Sequence, residues 1–184
     1  MITGVGSYLP TNKCSNENLS NFVDTSDEWI SKRSGIRNRH YVSENETTSD
    51  MAFLAAKEAI ENARISKNDI DLIIVATTTP DNTFPSTATL VQKKLCVNAV
   101  SFDVQAVCAG FIFALSVAKS MMSDGVYQNC LVIGADSMSK LLDWKDRTTS
   151  VLFGDGAGAV LLQKFNNLEN DYNDWGLLSN VIHS

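Results

Sequence analysis

Histidine is scarce in this chain: two in 184 residues, His40 and His183. The four cysteines, Cys14, Cys96, Cys108 and Cys130, form no CxxC pair. Protein zinc sites draw on Cys and His clustered at short spacings, so neither a structural zinc site nor any other metal is expected. Basic residues are in deficit, 15 Lys and Arg against 21 Asp and Glu, for a net charge of −6. That balance opposes a general role on nucleic acid or at a membrane surface. No apolar run approaches the roughly 20 residues of a membrane-spanning helix. Residues 1–10 lack a basic start followed by an apolar run, so no secretory leader is expected, and free thiols without one fit a reducing cytoplasm. What is present is apolar residue at 44%, enough for a buried core and too much for intrinsic disorder. The length suits one domain.

Read in order, the chain alternates two periodicities. Ile2 to Leu9 is a strand closed by Pro10, with Gly4 and Gly6 allowing close backbone approach. Asn16 to Val23 is a short helix. Thr25 and Glu28 have the spacing of a capping box for a helix that stops at Gly35. Ser49 or Asp50 opens a helix over 51–63 with an apolar stripe at Met51, Leu54, Ala55, Ala59 and Ile60. Asp71 to Thr77 is apolar throughout its interior, as a strand buried on both faces must be. Pro85 and Ser86 start a helix to about Leu95. Strands follow at 99–104 and 129–136, with the second burying Cys130. Residues 137–147 form a loop. Residues 165–175 form an exposed Asn/Asp-rich connector, and 176–182 a final strand.

Strands alternating with helices, most strands apolar throughout, predict a three-layer α/β domain. Its sheet is mixed and mostly parallel, with helices on both faces. The glycine-rich FGDGAGA, Phe153 to Ala159, lacks the Lys-Ser/Thr of a P-loop and the GxGxxG of a dinucleotide fold. It reads as a tight turn between two strands, letting one of them pass close to the loop at Cys108.

The stretch DVQAVCAGF, Asp103 to Phe111, sets a thiol between the end of a strand and the start of a long apolar helix. Four unpaired backbone N–H groups and the positive pole of that helix would face the sulfur and favour the thiolate, which is the nucleophile. The competing reading is a buried cysteine packed as a small hydrophobe. Trp29, Lys32, Arg33, Arg37, Arg39 and His40 form a basic cluster in an acidic chain. It is either a solvated face or a site for a phosphate-bearing ligand held by arginines beneath a stacking indole. Phe84 is either a staple for the helix that follows or an aromatic set at a pocket or interface.

Three segments together, GSYLP with DTSDEWISKRSGIRNRH, then DVQAVCAGF, then DRTTSVLFGDGAGAVLL, resemble the N-terminal half of the thiolase-fold condensing enzymes. Within them the resemblance is to the beta-ketoacyl-acyl carrier protein synthase III family, the initiating enzymes of type II fatty acid synthesis, and runs from about Ile2 to His183. It implies that residues 1–184 are one N-terminal thiolase-like domain bearing the nucleophile Cys108. It implies coenzyme A contacts at Trp29, Arg33, Ser34 (where the family often has Thr) and Arg147, with Trp29 and Arg147 enclosing the adenine. Phe84, Met138 and Phe153 match positions lining the acyl pocket, Phe84 across a homodimer interface. The implied partners are a short acyl-coenzyme A, acetyl first, and malonyl-acyl carrier protein, with no metal or redox cofactor. The family's second half supplies a catalytic His and Asn, and neither His40 nor His183 matches them. The chain alone is therefore expected to lack condensation activity. The alternative is a non-catalytic truncated remnant binding coenzyme A or protein, and a cysteine hydrolase is excluded for want of a placed histidine.

Overall fold

The computed structural model describes residues 1–165, Ser179 and residues 181–182. Its centre is Leu72–Ala76 (β4), buried at all five positions. A strand without a polar face must be covered on both sides, and it is. It pairs in parallel with Val100–Val104 (β5) and with Asn129–Ser137 (β6). Asp155–Gln163 (β7) runs antiparallel to β6 and to Ile2–Tyr8 (β1), giving the order β1-β7-β6-β4-β5. Four strands thus point one way and β7 the other.

Alternate residues of these strands face two helical layers. Ile73, Val75, Leu131, Ile133 and Leu161 meet Thr48–Ala63 (α3) and Thr87–Leu95 (α4). Leu72, Ile74, Cys130 and Val132 meet Gly110–Met122 (α5) on the opposite face. The inner stripe of α3 is Ala52, Ala55, Ala56 and Ala59, all fully buried, which brings its backbone down onto β1. A Cβ at Gly4 would lie 2.0 Å from the Ala59 carbonyl oxygen, and one at Gly6 2.2 Å from that of Ala55. Both glycines are required by this approach, as expected.

A second sheet of two strands, Asn12–Ser15 (β2) and Asn38–Tyr41 (β3), was not foreseen. It holds between its strands the short helices Asn16–Ser20 (α1) and Asp27–Ser34 (α2). With Arg147–Ser150 (α6) it encloses a separate apolar cluster of Cys14, Leu19, Val23, Ile30 and Val151.

Three local expectations are corrected. The cap of α2 is Ser26, whose Oγ accepts the Trp29 N–H at 3.1 Å, not Thr25. Adjacent cap-forming residues make such a slip invisible to spacing alone, and the Thr25 hydroxyl is buried without a partner among the described residues. The cap of α3 is Thr47, in a capping box with Asp50, so Asp50 is the third helical residue and not the cap. The GDGAGA stretch is no turn between two strands. Asp155 to Ala159 is the first half of β7, in extended register with β1 and β6. The expected connector after Phe165 and the expected strand over 176–182 fall almost wholly outside the described residues. Among the described residues no helix is long and apolar enough to cross a membrane.

Candidate active site

Cys108 sits in a single 3-10 turn, Val107–Ala109, between the end of β5 and the start of α5. It is exposed. The residue before it, Val107, has φ 46°, a left-handed backbone that costs a β-branched residue on the order of 1–3 kcal/mol. The chain bends there instead of continuing the line of β5, and the bend delivers the sulfur to a cleft. Cys14 and Cys130 differ in kind: both are buried, and burial pushes both thiols up, with Asp71 adding to the effect at Cys130.

The cleft has a volume of about 390 Å3 and lies at the carboxyl ends of β4 and β6, where parallel sheets place their ligands. Its wall is formed by Val107, Cys108 and Phe111 from the turn and α5, by Gly134 and Asp136 from β6, and by Gly156 and Gly158 from β7, with Leu9 at the rim. Gly134 and Gly158 face each other in register. A Cβ at Gly134 would meet the Phe111 ring at 3.3 Å, so that ring lies across the strand. A Cβ at Gly158 meets nothing within 4 Å. The carboxylate of Asp136 is pinned by the loop after β4: one oxygen accepts from the Thr77 hydroxyl at 3.2 Å, the Thr78 N–H at 2.8 Å and the Thr79 hydroxyl at 3.0 Å.

A separate cation–aromatic group is built on α2, and none of its members is in the cleft wall. Gly35, at φ 74°, closes that helix, and Trp29 and Arg33 stand one turn apart on it. The Arg33 guanidinium carbon lies 4.4 Å from the Trp29 ring centroid, and that of Arg147 lies 5.3 Å from it. Arg147 is the first residue of α6 and is steered by Asp24, donating to its carbonyl at 3.2 Å and pairing with its carboxylate at 3.6 Å. Asp146 caps α6. Hydrogen bonds from Thr148 and Thr149 hold its carboxyl below the usual range. At the other helix, bonds from Asn16 and Ser31 do the same for Asp27.

The structure therefore brings together Trp29, Arg33 and Arg147. It does not turn Ser34 toward them. The Ser34 hydroxyl donates to the Ile30 carbonyl at 2.8 Å and accepts the Ile36 N–H at 3.2 Å, closing the end of α2. Phe84, in the loop before α4, is 83% exposed and is not part of the cleft wall. Met138 and Phe153 are half-buried and are not part of the cleft wall either, although Asp136 and Gly154 line it. His40 bonds through Nδ1 to the Pro10 carbonyl and is not in the cleft wall, and His183 lies outside the described residues. Leu9, Phe111, Asp136 and Gly158 were missed. Phe111, one helical turn beyond Cys108, is the one that spacing could have found. Among the described residues no cluster of His, Cys, Asp and Glu could hold a metal ion.

The family model for 3-oxoacyl-[acyl-carrier-protein] synthase III matches residues 102–183. The chain is 56% identical to a beta-ketoacyl-[acyl-carrier-protein] synthase III of Ehrlichia canis, over 100% of this chain and 56% of that protein. It is 59% identical to one of Neisseria gonorrhoeae over 88% of this chain and 51% of that protein. The crystal structure of 3-oxoacyl-[acyl-carrier-protein] synthase III from Aquifex aeolicus superposes with a TM-score of 0.85 at 51% identity, covering 90% of this chain and 54% of the other. The synthase III structure from Thermus thermophilus gives a TM-score of 0.85 at 42% identity, over 89% and 51%. The chain spans about half the length of the relatives it matches. Across these comparisons the chain is similar to beta-ketoacyl-[acyl-carrier-protein] synthase III proteins, over about half of their length.

Proposed function

We propose that this chain is the nucleophile-bearing half of a condensing enzyme that initiates fatty acid synthesis. The observation that carries the reading is an exposed Cys108 at a cleft, in a chain that also assembles Trp29, Arg33 and Arg147 into a cation–aromatic group. The second group suits the adenine and phosphates of coenzyme A, a flat base with anions attached. The sulfur of Cys108 attacks the thioester carbonyl of a short acyl-coenzyme A, acetyl in the first instance. The backbone N–H of Cys108 supplies one donor to the tetrahedral oxyanion, the C–S bond to coenzyme A breaks, the thiol proton of Cys108 ends on the coenzyme A sulfur, and the acyl group stays on Cys108. Malonyl-acyl carrier protein then loses carbon dioxide, and its carbanion takes the acyl group. That step needs the His and Asn of the family's second half, which no described residue of the cleft supplies. Phe84 would close the acyl pocket of a second subunit, and Met138 and Phe153 would line the chain's own. A cytoplasmic homodimer follows, joined along the β5 edge and α4, where Val100 is 46% exposed.

A second reading is a remnant that binds coenzyme A or protein without catalysis, supported by His40 lying outside the cleft wall. Peptide-resolved mass spectrometry after mixing with acetyl-coenzyme A separates the two. An acetyl adduct on Cys108 is the outcome expected of the first reading, and saturable coenzyme A binding with Cys108 unmodified is that of the second.

A further inference from the structure

We infer that Asp103 is a positioning residue for Cys108: it anchors the strand end from which the strained Val107 aims the sulfur. Asp103 lies on β5, five residues before the nucleophile, and its side chain leaves the sheet to reach α4. One carboxylate oxygen accepts the Thr87 N–H at 2.8 Å, and the other accepts the Ala88 N–H at 2.7 Å. The next helical N–H, that of Thr89, is taken by the Ser86 hydroxyl at 3.2 Å. The two side chains together satisfy the first three open donors of α4, and the carboxylate also faces the positive pole of that helix.

At Asp103 and Val104 the strand still pairs with Val75 and Ala76 of β4, and backbone bonds hold the turn beyond. The Val104 carbonyl accepts from the Thr77 N–H at 3.3 Å, and the Ala109 N–H closes onto the Ala106 carbonyl at 3.0 Å. Val107, at φ 46°, lies inside the turn closed by the second of these bonds. A left-handed β-branched residue persists only where its surroundings fix both ends of the segment. The helix α5 fixes one end. At the other, the Asp103 clamp ties the strand to α4. Farther back on β5, Ser101 bonds to Gln92 at 3.0 Å and to Thr89 at 3.2 Å, so loss of the clamp leaves the strand end held by its pairing with β4 and does not detach α4.

The inference deepens the acyl-transfer reading, and its test is built to stand apart from it. Thermal midpoints are measured for wild type, Asp103→Ala, Val107→Gly and the double variant. Val107→Gly removes the strain and is expected to raise Tm by about 3 °C. Asp103→Ala loses the clamp but lets the turn relax, so it costs about 4 °C in wild type and about 7 °C in the glycine background, where no strain remains to be released. Shifts that add to within about 1 °C mean an ordinary helix cap and overturn the inference. Should Asp103→Ala not fold, Asp103→Asn, which keeps one acceptor and loses the charge, takes its place in the cycle. In parallel, acetyl transfer to Cys108 is expected to slow about tenfold in Asp103→Ala, with the half-saturating acetyl-coenzyme A concentration unchanged within about twofold. If wild type itself takes no acetyl group, the acyl-transfer reading fails while the thermal cycle still decides the role of Asp103.

Discussion

Arg147 lies over Trp29 at 5.3 Å from its ring centroid, although the two residues belong to helices far apart in the chain. The gap is narrower than the roughly 7 Å that two van der Waals layers need to admit a planar base between them. In the proposed reading, an adenine entering between them would have to move Arg147 away from the indole, at the expense of its contacts with Asp24. Binding of coenzyme A is expected to change Trp fluorescence. Trp29→Ala or Arg147→Ala should weaken that binding about tenfold each, and Arg147→Lys should not restore it. Titration calorimetry reads all three, and equal affinities across them would place the ligand elsewhere.

Acid should loosen the same region. The carboxyls of Asp27 and Asp146 are both held below their ordinary value of 3.8, each by hydrogen bonds from neighbouring side chains. A carboxyl depressed in the fold contributes stability above its unfolded pKa and loses it as pH falls through the folded value. The setting of α2 and α6 is therefore expected to hold down to about pH 4 and to loosen below it. Near-ultraviolet circular dichroism of the tryptophans should report this, and Asp146→Asn should flatten part of the change. A signal that moves instead between pH 6 and 8 contradicts the assignment.

The glycines of the site and of the core should behave oppositely. Gly158→Ala places a methyl where nothing lies within 4 Å and is expected to leave Tm within about 2 °C of wild type. Gly6→Ala drives a methyl to 2.2 Å from the Ala55 carbonyl oxygen, in backbone that cannot swing aside, and should cost about 3 kcal/mol or prevent folding. Denaturant melts compare them directly, and equal effects would mean that α3 does not lie where it is described.

The β5 edge gives a fourth expectation. It presents unpaired strand groups beside Val100, and Phe84 stands 83% exposed in the loop before α4. Such an edge recruits a second strand. Light scattering should find a self-associating chain, and Val100→Lys should shift it toward the monomer; a stable wild-type monomer counts against the edge as an interface.

Much of this arrangement was legible in the residues. The unbroken apolar run at 72–76 could only be a strand covered twice, and DVQAVCAGF announced a strand, a bend and a helix with a thiol at the joint. Cap residues were less certain because Thr25 and Ser26 have the same chemistry, and the selection was made by backbone angle. The GDGAGA stretch was misread as a turn because glycine permits turns and close strand packing alike; what decided it was pairing with β1 and β6 across the chain. Nothing local signals such a long-range partner. The same holds for the β2–β3 sheet, whose strands are four residues each and carry mixed polarity.

The central claim is that the thiol and the cation–aromatic group serve one site, and the most direct test is the rate of acetyl transfer from acetyl-coenzyme A, resolved by cysteine. The account predicts saturable acetylation of Cys108, none of Cys96, which is also exposed, and loss of saturation in Trp29→Ala. Equal acetylation of Cys96 and Cys108, or a Cys108 rate indifferent to Trp29→Ala, would contradict it.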